Sequence, residues 1–121
     1  MIKFKSLNQS SQFLKILKKK KYSSKYFTIF FDKNINKNGP NLNKYLNISF
    51  VMKKKIGNAV VRNKIKRKLK SAVQKIALDK ELIDLEKTYI IFGKNDVYKE
   101  KFQNVFSEMN DAFKKIKKIG C

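Results

Sequence analysis

The chain contains no histidine and no tryptophan, and it has a single cysteine, Cys121, and a single proline, Pro40, among its 121 residues. The lone cysteine excludes a disulfide within the chain and a thiolate metal site, which fits a reducing compartment, so we predict a cytoplasmic protein. Without histidine, the chain lacks the acid–base pair that metal-free nucleases commonly use. The longest apolar stretches, such as YFTIFF at 26–31, are far too short to cross a membrane.

Acidic residues are scarce and unevenly placed. Residues 1–78 hold 21 lysines and arginines against one acid, Asp32, whereas residues 79–121 hold nine lysines against eight acids. The two parts therefore carry formal charges of +20 and +1, which together make the net charge of +21. A compact domain with this charge repels itself, so we predict a polyanionic partner. The spacing of the acids is that of solvated charges, and we predict neither a catalytic residue nor a metal ligand in the protein itself.

Hydrophobic patterning predicts six elements in the order helix, strand, strand, helix, strand, helix. The first helix begins near Ser10 or Ser11 and carries Phe13, Ile16 and Leu17 on one face. The strands cover 26–31, 46–52 and 87–93. The second helix begins at 57–58, and the last helix extends over 97–119. This order describes an α+β fold, a two-layer sandwich with helices packed on one mixed sheet. The length suits a single domain over residues 1–121.

Only two of the 30 basic residues are arginines, and both, Arg62 and Arg67, lie in the segment KKKIGNAVVRNKIKRKLK at 53–70. Arginine offers a planar fork that binds phosphate or a base edge through two hydrogen bonds, which lysine cannot do. At 100° per residue, apolar positions form one stripe of this helix and basic residues occupy the other sides. The predicted stripe is Val61, Ile65, Leu69, Ala72, Val73 and Ile76. We predict nucleic-acid binding by the side chains Lys53, Lys54, Lys55, Asn58, Arg62, Asn63, Lys64, Lys66, Arg67 and Lys70.

The segment LNISFVMKKKIGNAVVRNKIKRKLKSA at 46–72 closely resembles the bacterial ribonuclease P protein family. That family is marked by a strand, a lysine pair, a GNAV-type turn and a helix that opens with RNR and IKR. Here the matching residues are Lys54, Lys55, Gly57 to Val60 and Arg62 to Arg67, with unbroken spacing. The similarity extends over nearly the whole chain, since SLNQSSQFLKIL, YFTIFF and KTYIIFGK resemble the family's first helix, first strand and late strand.

The resemblance implies a four-stranded sheet with a left-handed βαβ crossover. It also implies a ribonucleoprotein endonuclease in which an RNA, using Mg²⁺, removes the 5′ leader of precursor tRNA. The protein subunit would bind that RNA and the leader without an active site or a cofactor of its own. By matching positions, the contacts to catalytic RNA would be Arg62, Asn63, Lys64 and Arg67, and the leader cleft beside the first helix would be lined by Phe13, Leu17 and Phe30.

Two residues depart from the family pattern. Lys64 stands where the pattern has its second arginine, which would replace a bidentate contact by a point charge. Leu17 stands where the first helix usually offers a second aromatic ring. The cleft would therefore have one stacking surface fewer than the family pattern provides.

Two other classes of protein share the strong positive charge. A ribosomal or other structural RNA-binding protein would have the same charge and fold class but would need no cleft for single-stranded RNA. A DNA-compacting protein is disfavoured by the motif and by the lack of an extended arm. We therefore predict RNA as the partner, and neither DNA nor a membrane.

Overall fold

The computed structural model describes residues 3–6, 10–33, 45–78, 83 and 87–119 of the chain. Within these residues the elements are β1 (Lys3–Lys5), α1 (Ser10–Leu17), β2 (Lys20–Ser23), β3 (Phe27–Lys33), β4 (Tyr45–Val51), α2 (Ala59–Ala77), β5 (Lys87–Gly93), α3 (Asp96–Lys99) and α4 (Phe102–Ile119). A short 3₁₀ turn, Lys54–Ile56, lies between β4 and α2.

The strands form one sheet in the order β1-β4-β5-β3-β2. β4 is parallel to both β1 and β5, whereas β3 is antiparallel to both β5 and β2. Because parallel neighbours need a crossover connection, the chain returns from β4 to β5 through α2. The sheet is therefore mixed, and the prediction of an α+β fold with helices packed on a mixed sheet is confirmed.

One face of the sheet forms the hydrophobic core with α2 and α4. Alternation along β3 brings Phe27, Ile29 and Phe31 to this face, where all three are fully buried. Tyr89 of β5 meets Phe113 of α4 edge to face, with ring centroids 5.1 Å apart. The two long helices and this face of the sheet are thus the two layers of the predicted sandwich.

The apolar stripe of α2 packs as the sequence predicts, with Val61 half-buried and Ile65, Leu69, Ala72, Val73 and Ile76 buried. Gly93 at the end of β5 allows a close approach. A Cβ atom at Gly93 would lie 2.9 Å from Ile65 Cγ2 and 3.0 Å from Leu69 Cδ1. A larger residue there would therefore force these side chains to shift.

The opposite face of the sheet carries α1, which covers only part of it. Ile16 of α1 and Ile90 of β5 are both fully buried but lie outside the main core cluster. Phe30 and Phe92 alternate with the core residues of their strands and are only half-buried. This second face is therefore partly open.

The sheet has five strands, where patterning indicates three and the resemblance implies four. The unpredicted strands, β1 and β2, have three and four residues and lie at the two edges. Runs this short show no periodicity of their own. Only pairing of Lys20–Ser23 with 28–31 of β3 makes β2 a strand.

The predicted last helix over 97–119 is wrong at its start. The single turn α3 ends at Lys99, and Glu100 has an extended backbone with φ −76° and ψ 149°. α4 then begins at Phe102. The apolar spacing of Val97 and Phe102 does not show this break, because residues elsewhere in the chain stabilise it. The apolar residues of α4 recur every three or four positions and pack inward, with Val105, Met109, Phe113 and Ile116 buried and Phe102 and Phe106 half-buried.

Candidate nucleic-acid interface

The outward face of α2 carries the polar side chains that the sequence predicts. The exposed members on the helix are Asn63, Lys64, Lys66, Arg67 and Lys70. No acidic residue interrupts the segment between Arg62 and Lys75. This face therefore presents positive charge without a competing carboxylate from its own helix.

The GN pair before α2 determines where the helix begins. Asn58 is exposed, and its Oδ1 accepts a hydrogen bond from the backbone N–H of Val61 at 3.1 Å. Gly57 has φ 157°, and a Cβ atom there would lie 3.2 Å from Val61 Cβ. Asn58 is thus an N-cap, and its contribution to the interface is to fix the positive end of the helix dipole.

The two arginines have different surroundings. Arg67 is exposed on the outward face of α2, whereas Arg62 is half-buried. The Nε atom of Arg62 is buried and has no hydrogen-bond partner among the described residues. A buried donor without a partner costs free energy.

The lysines on one edge of α2 face the protein rather than solvent alone. Lys64 Nζ lies 4.8 Å from the centre of the Tyr98 ring. Lys75 Nζ lies 5.2 Å from the centre of the Phe102 ring. These cation–π contacts attach α2 to α3 and α4. Lys64, which stands where the family pattern has an arginine, therefore also packs on an aromatic ring of the protein.

A cleft of about 630 Å³ lies between the C-terminal end of α1 and the open face of the sheet. Leu17 lines it from α1, and Phe30 and Phe92 line it from β3 and β5. The rings of Phe30 and Phe92 meet edge to face. The structure thus brings together Leu17 and Phe30, two of the predicted cleft residues. Phe13 lies in α1, but its side chain is outside the described part of the structure.

The cleft is strongly basic. Its lining lysines are Lys21, Lys25, Lys53, Lys55 and Lys94, and Asp96 is the acid among its lining residues. Lys53 Nζ lies 5.8 Å from the centre of the Phe92 ring. The sequence predicts Lys53 and Lys55 as nucleic-acid-binding residues, and the structure places both on the cleft wall. Exposed Lys54 lies between them, so the cleft and the α2 surface are continuous.

The junction between α3 and α4 contacts α2 through Lys68. Lys68 Nζ donates hydrogen bonds to the carbonyls of Val97, Tyr98 and Glu100 at 3.1, 3.0 and 2.7 Å. Partial burial, and then the neighbouring ammonium of Lys64, lower the pKa of Lys68 from its usual value. Lys68 therefore differs from the exposed lysines of α2, and its contacts are within the protein.

Glu100 extends this junction to the sheet. Its carboxylate accepts hydrogen bonds from Asn104 Nδ2 at 2.8 Å, Tyr26 Oη at 2.9 Å and the backbone N–H of Lys101 at 3.0 Å. These bonds, with that of Asn104 the largest cause, lower the pKa of Glu100 to about 2. The hydrogen bond that Tyr26 Oη donates to Glu100 raises the pKa of Tyr26. Glu100 is thus held as a carboxylate beside the start of β3.

Two other kinds of site are not found in the described part of the chain. Its acidic residues form no group of three or more that could hold a metal ion. None of its helices is both long and apolar enough to cross a bilayer. The described surface instead offers lysine, arginine and aromatic rings, which together are the groups that bind single-stranded and structured nucleic acid.

A known protein family matches almost the whole chain. The family model described as Ribonuclease P matches residues 1–117. The chain belongs to the Ribonuclease P family. The family resemblance that the segment at 46–72 indicates is thereby confirmed.

Individual ribonuclease P proteins share both sequence and fold with the chain. It is 32% identical to the ribonuclease P protein component of Bacillus cereus (strain 03BB102) over 71 residues, which is 59% of this chain and 59% of that relative. It is similar in structure to the RNase P protein from Thermotoga maritima, with a TM-score of 0.71, 22% identity and coverage of 92% and 96% of the two chains. For the Staphylococcus aureus RNase P protein the values are 0.71, 22%, 93% and 94%. The structural matches show a shared fold.

Sequence reasoning missed four of the basic and aromatic residues that line the cleft of this Ribonuclease P family member: Lys21, Lys25, Phe92 and Lys94. The run KTYIIFG reads as a strand buried on both faces, which hides the fact that Phe92, near its end, lines the cleft. The pairing of Thr28 with Phe92 shows that Phe92 lies beside Phe30. Alternation along the strand places Ile90 and Phe92 on one side and Tyr89 and Ile91 on the other. The sequence alone does not show which side faces the cleft, because that depends on the register between β3 and β5.

Proposed function

We propose that this chain is the protein component of a ribonuclease P ribonucleoprotein, the endonuclease that removes the 5′ leader of precursor tRNA. In this proposal the chain binds two RNA elements on two continuous surfaces. The outward face of α2 binds the catalytic RNA, and the cleft between α1 and the sheet binds the leader. Family membership supports the enzyme class, and the geometry supports the division of the two surfaces.

The outward face of α2 suits a structured RNA. Structured RNA is recognised largely through its phosphates and its shape, which requires exposed cations on a rigid element. Arg67, Lys66 and Lys70 are exposed on a helix of 19 residues whose other side is core. Exposed Asn63 and Lys64 extend this surface to the first turns of α2.

The cleft suits an unpaired strand, and this is the observation that carries the proposal. Two half-buried aromatic rings, Phe30 and Phe92, lie next to each other among five lysines. Bases of any sequence stack on aromatic rings while lysines follow the phosphates. A leader varies in sequence from one tRNA precursor to the next, so a site that recognises single strands without reading base edges fits it. A protein that binds only folded RNA would not need this cleft.

We assign the hydrolysis to the RNA, with Mg²⁺ held through the RNA rather than by the protein alone. The sequence has no histidine, and eight of its nine acids lie in 79–111. The lining of the cleft is dominated by lysines, whereas metal-dependent hydrolysis uses clustered carboxylates. The partners in this proposal are the catalytic RNA and precursor tRNA, with neither DNA nor a membrane, and the place of action is the cytoplasm.

Reconstitution tests this proposal. The isolated protein with Mg²⁺ should leave precursor tRNA intact, and adding a bacterial ribonuclease P RNA should yield tRNA with a mature 5′ end that carries a phosphate. Cleavage by rigorously RNA-free protein would overturn the assignment of the chemistry to the RNA. Copurification provides a second test, in which one predominant structured RNA with tRNA-processing activity supports the proposal. Recovery of ribosomal subunits or bulk DNA instead would contradict it.

A further inference from the structure

Lys68 lies in the basic helix but faces the protein. All three N–H donors of its ammonium can be used, because the carbonyls of Val97, Tyr98 and Glu100 lie within 3.1 Å of Nζ. These carbonyls belong to the C-terminal end of α3, where helix carbonyls have no partner within the helix. Lys68 therefore caps α3 and fixes the middle of α2 to the junction before α4.

Glu100 joins this anchor to the sheet. Its backbone carbonyl accepts from Lys68, while its side chain accepts from Tyr26 Oη. Tyr26 is buried and directly precedes β3. One residue thus contacts the RNA-facing helix through its backbone and the start of a cleft strand through its carboxylate.

The contacts continue from Tyr26 to the cleft wall. The carbonyl of Tyr26 accepts a hydrogen bond from the backbone N–H of Lys94 at 2.9 Å. Lys94 Nζ donates to the carbonyl of Ser24 at 2.5 Å. Both Lys94 and Lys25 line the cleft. Lys68 is therefore connected to the cleft residue Lys94 through hydrogen bonds that pass by way of Glu100 and Tyr26.

We propose that Lys68 and Glu100 are positioning residues that fix the orientation of the α2 surface relative to the cleft. The inference rests on the proposed function, in which one tRNA precursor seated on the catalytic RNA must place its leader at Phe30 and Phe92. Long exposed lysines adjust to a small rotation of α2, but stacking on a ring requires the base at a defined place. A change of orientation should therefore weaken leader binding more than it weakens binding of the catalytic RNA.

The test compares Lys68→Met with Lys66→Met in the reconstituted holoenzyme. Both substitutions remove one ammonium from α2 and keep an unbranched side chain, but Lys66 is exposed. The measured quantities are the dissociation constant for catalytic RNA and the ratio of affinities for precursor tRNA and leaderless mature tRNA. We expect Lys68→Met to reduce this ratio about five- to tenfold, at the lower end of coupling between sites. Lys66→Met should weaken binding of catalytic RNA and leave the ratio as in wild type.

Tyr26→Phe breaks the connection between Glu100 and the sheet without changing any charge. It removes the hydroxyl that donates to Glu100, so it should reduce the ratio while binding of catalytic RNA stays as in wild type. Lys68→Arg, which keeps a charged donor, should restore part of the ratio lost in Lys68→Met. Melting temperatures measured by circular dichroism establish that each variant is folded at the assay temperature. A role in folding alone would lower the melting temperature and leave the ratio of the folded holoenzyme unchanged.

Each outcome distinguishes the inference from the function on which it rests. If the wild-type holoenzyme binds precursor and mature tRNA equally, the proposed leader cleft is wrong. If wild type prefers the precursor and folded Tyr26→Phe and Lys68→Met keep that preference, the positioning role is overturned. A reduced ratio in Lys68→Met and Tyr26→Phe, but not in Lys66→Met, supports it.

Discussion

Phe30 and Phe92 contact each other edge to face across β3 and β5, with ring centroids 5.5 Å apart and an angle of 73° between the ring planes. Both are half-buried, whereas Phe27 and Phe31 on the other face of β3 are fully buried. Aromatic rings on the core face stabilise the fold, and rings that keep part of their surface in a basic cleft are available to bases. This pair therefore defines the floor of the proposed leader site.

Phe92→Ala should weaken the holoenzyme's affinity for precursor tRNA by about 1 to 3 kcal/mol, the range for one lost base–aromatic stack. No positive charge is removed, so the salt dependence of binding to catalytic RNA should not change. Equilibrium binding of precursor and mature tRNA measures the effect. Phe106→Ala, which removes a half-buried ring of α4, is the matched control. An equal loss for both tRNAs would contradict the assignment of Phe92 to the leader.

Arg67→Ala should weaken binding of catalytic RNA by about 1 to 3 kcal/mol, as expected for one charge-assisted contact. Folding should be nearly unchanged, because Arg67 is exposed on the face opposite the core stripe. The slope of log affinity against log salt should fall by about 1. Filter binding over a range of salt concentrations measures both quantities. Lys114→Ala, an exposed charge on α4, should have the smaller effect. Equal effects would show that only net charge matters.

Gly93→Ala should destabilise the protein by about 1 to 3 kcal/mol, because the added methyl group overpacks the contact between β5 and α2. The new Cβ would lie 2.5 Å from Met52 Sδ and 2.9 Å from Ile65 Cγ2. The free energy of unfolding in urea measures the cost. Wild-type stability in this variant would show that the side chains of Met52, Ile65 and Leu69 can shift without loss.

Lowering the pH should remove a stabilising contribution of Glu100. Its pKa is about 2 in the fold and 4.5 in its ordinary state, so the folded chain binds this proton more weakly than the unfolded chain. The contribution is therefore fully present above pH 4.5 and is lost as the pH falls toward 2. Melting temperatures of Glu100→Gln should fall less steeply over this interval than those of wild type. Glu108→Gln removes the same charge elsewhere on the surface and should follow wild type.

The long elements were predictable from the sequence because each shows its own periodicity. The stripe from Ile65 to Ile76 predicts α2, and Asn58 marks its start, as its hydrogen bond to Val61 confirms. The break at Glu100 was not predictable in this way. It depends on Lys68, 32 residues earlier in the chain, whose ammonium binds the carbonyls at the end of α3. Such contacts exist only after the chain has folded.

The candidate site also has one part that was predictable from the sequence and one part that was not. The exposed face of α2 follows from helix geometry applied to one segment, so Arg67, Lys66 and Lys70 were found from the sequence. The cleft is assembled from α1, β3, β5 and the turn before α2, which are far apart in the chain. Phe30 and Leu17 came from the family resemblance, and Phe92 required the pairing of β3 with β5. The role of each of these residues in RNA binding stays a prediction.

The two outer strands of the sheet have only three and four residues, and β2 reads KKYS. An outer strand exposes backbone groups that can pair with a strand of another molecule, which is how sheets begin to aggregate. Short length limits the number of such bonds, and lysines on one edge repel the same edge of a second copy. The lysine charge therefore has two effects. In the proposed function it attracts RNA, and in the absence of RNA it disfavours edge-to-edge pairing of two copies.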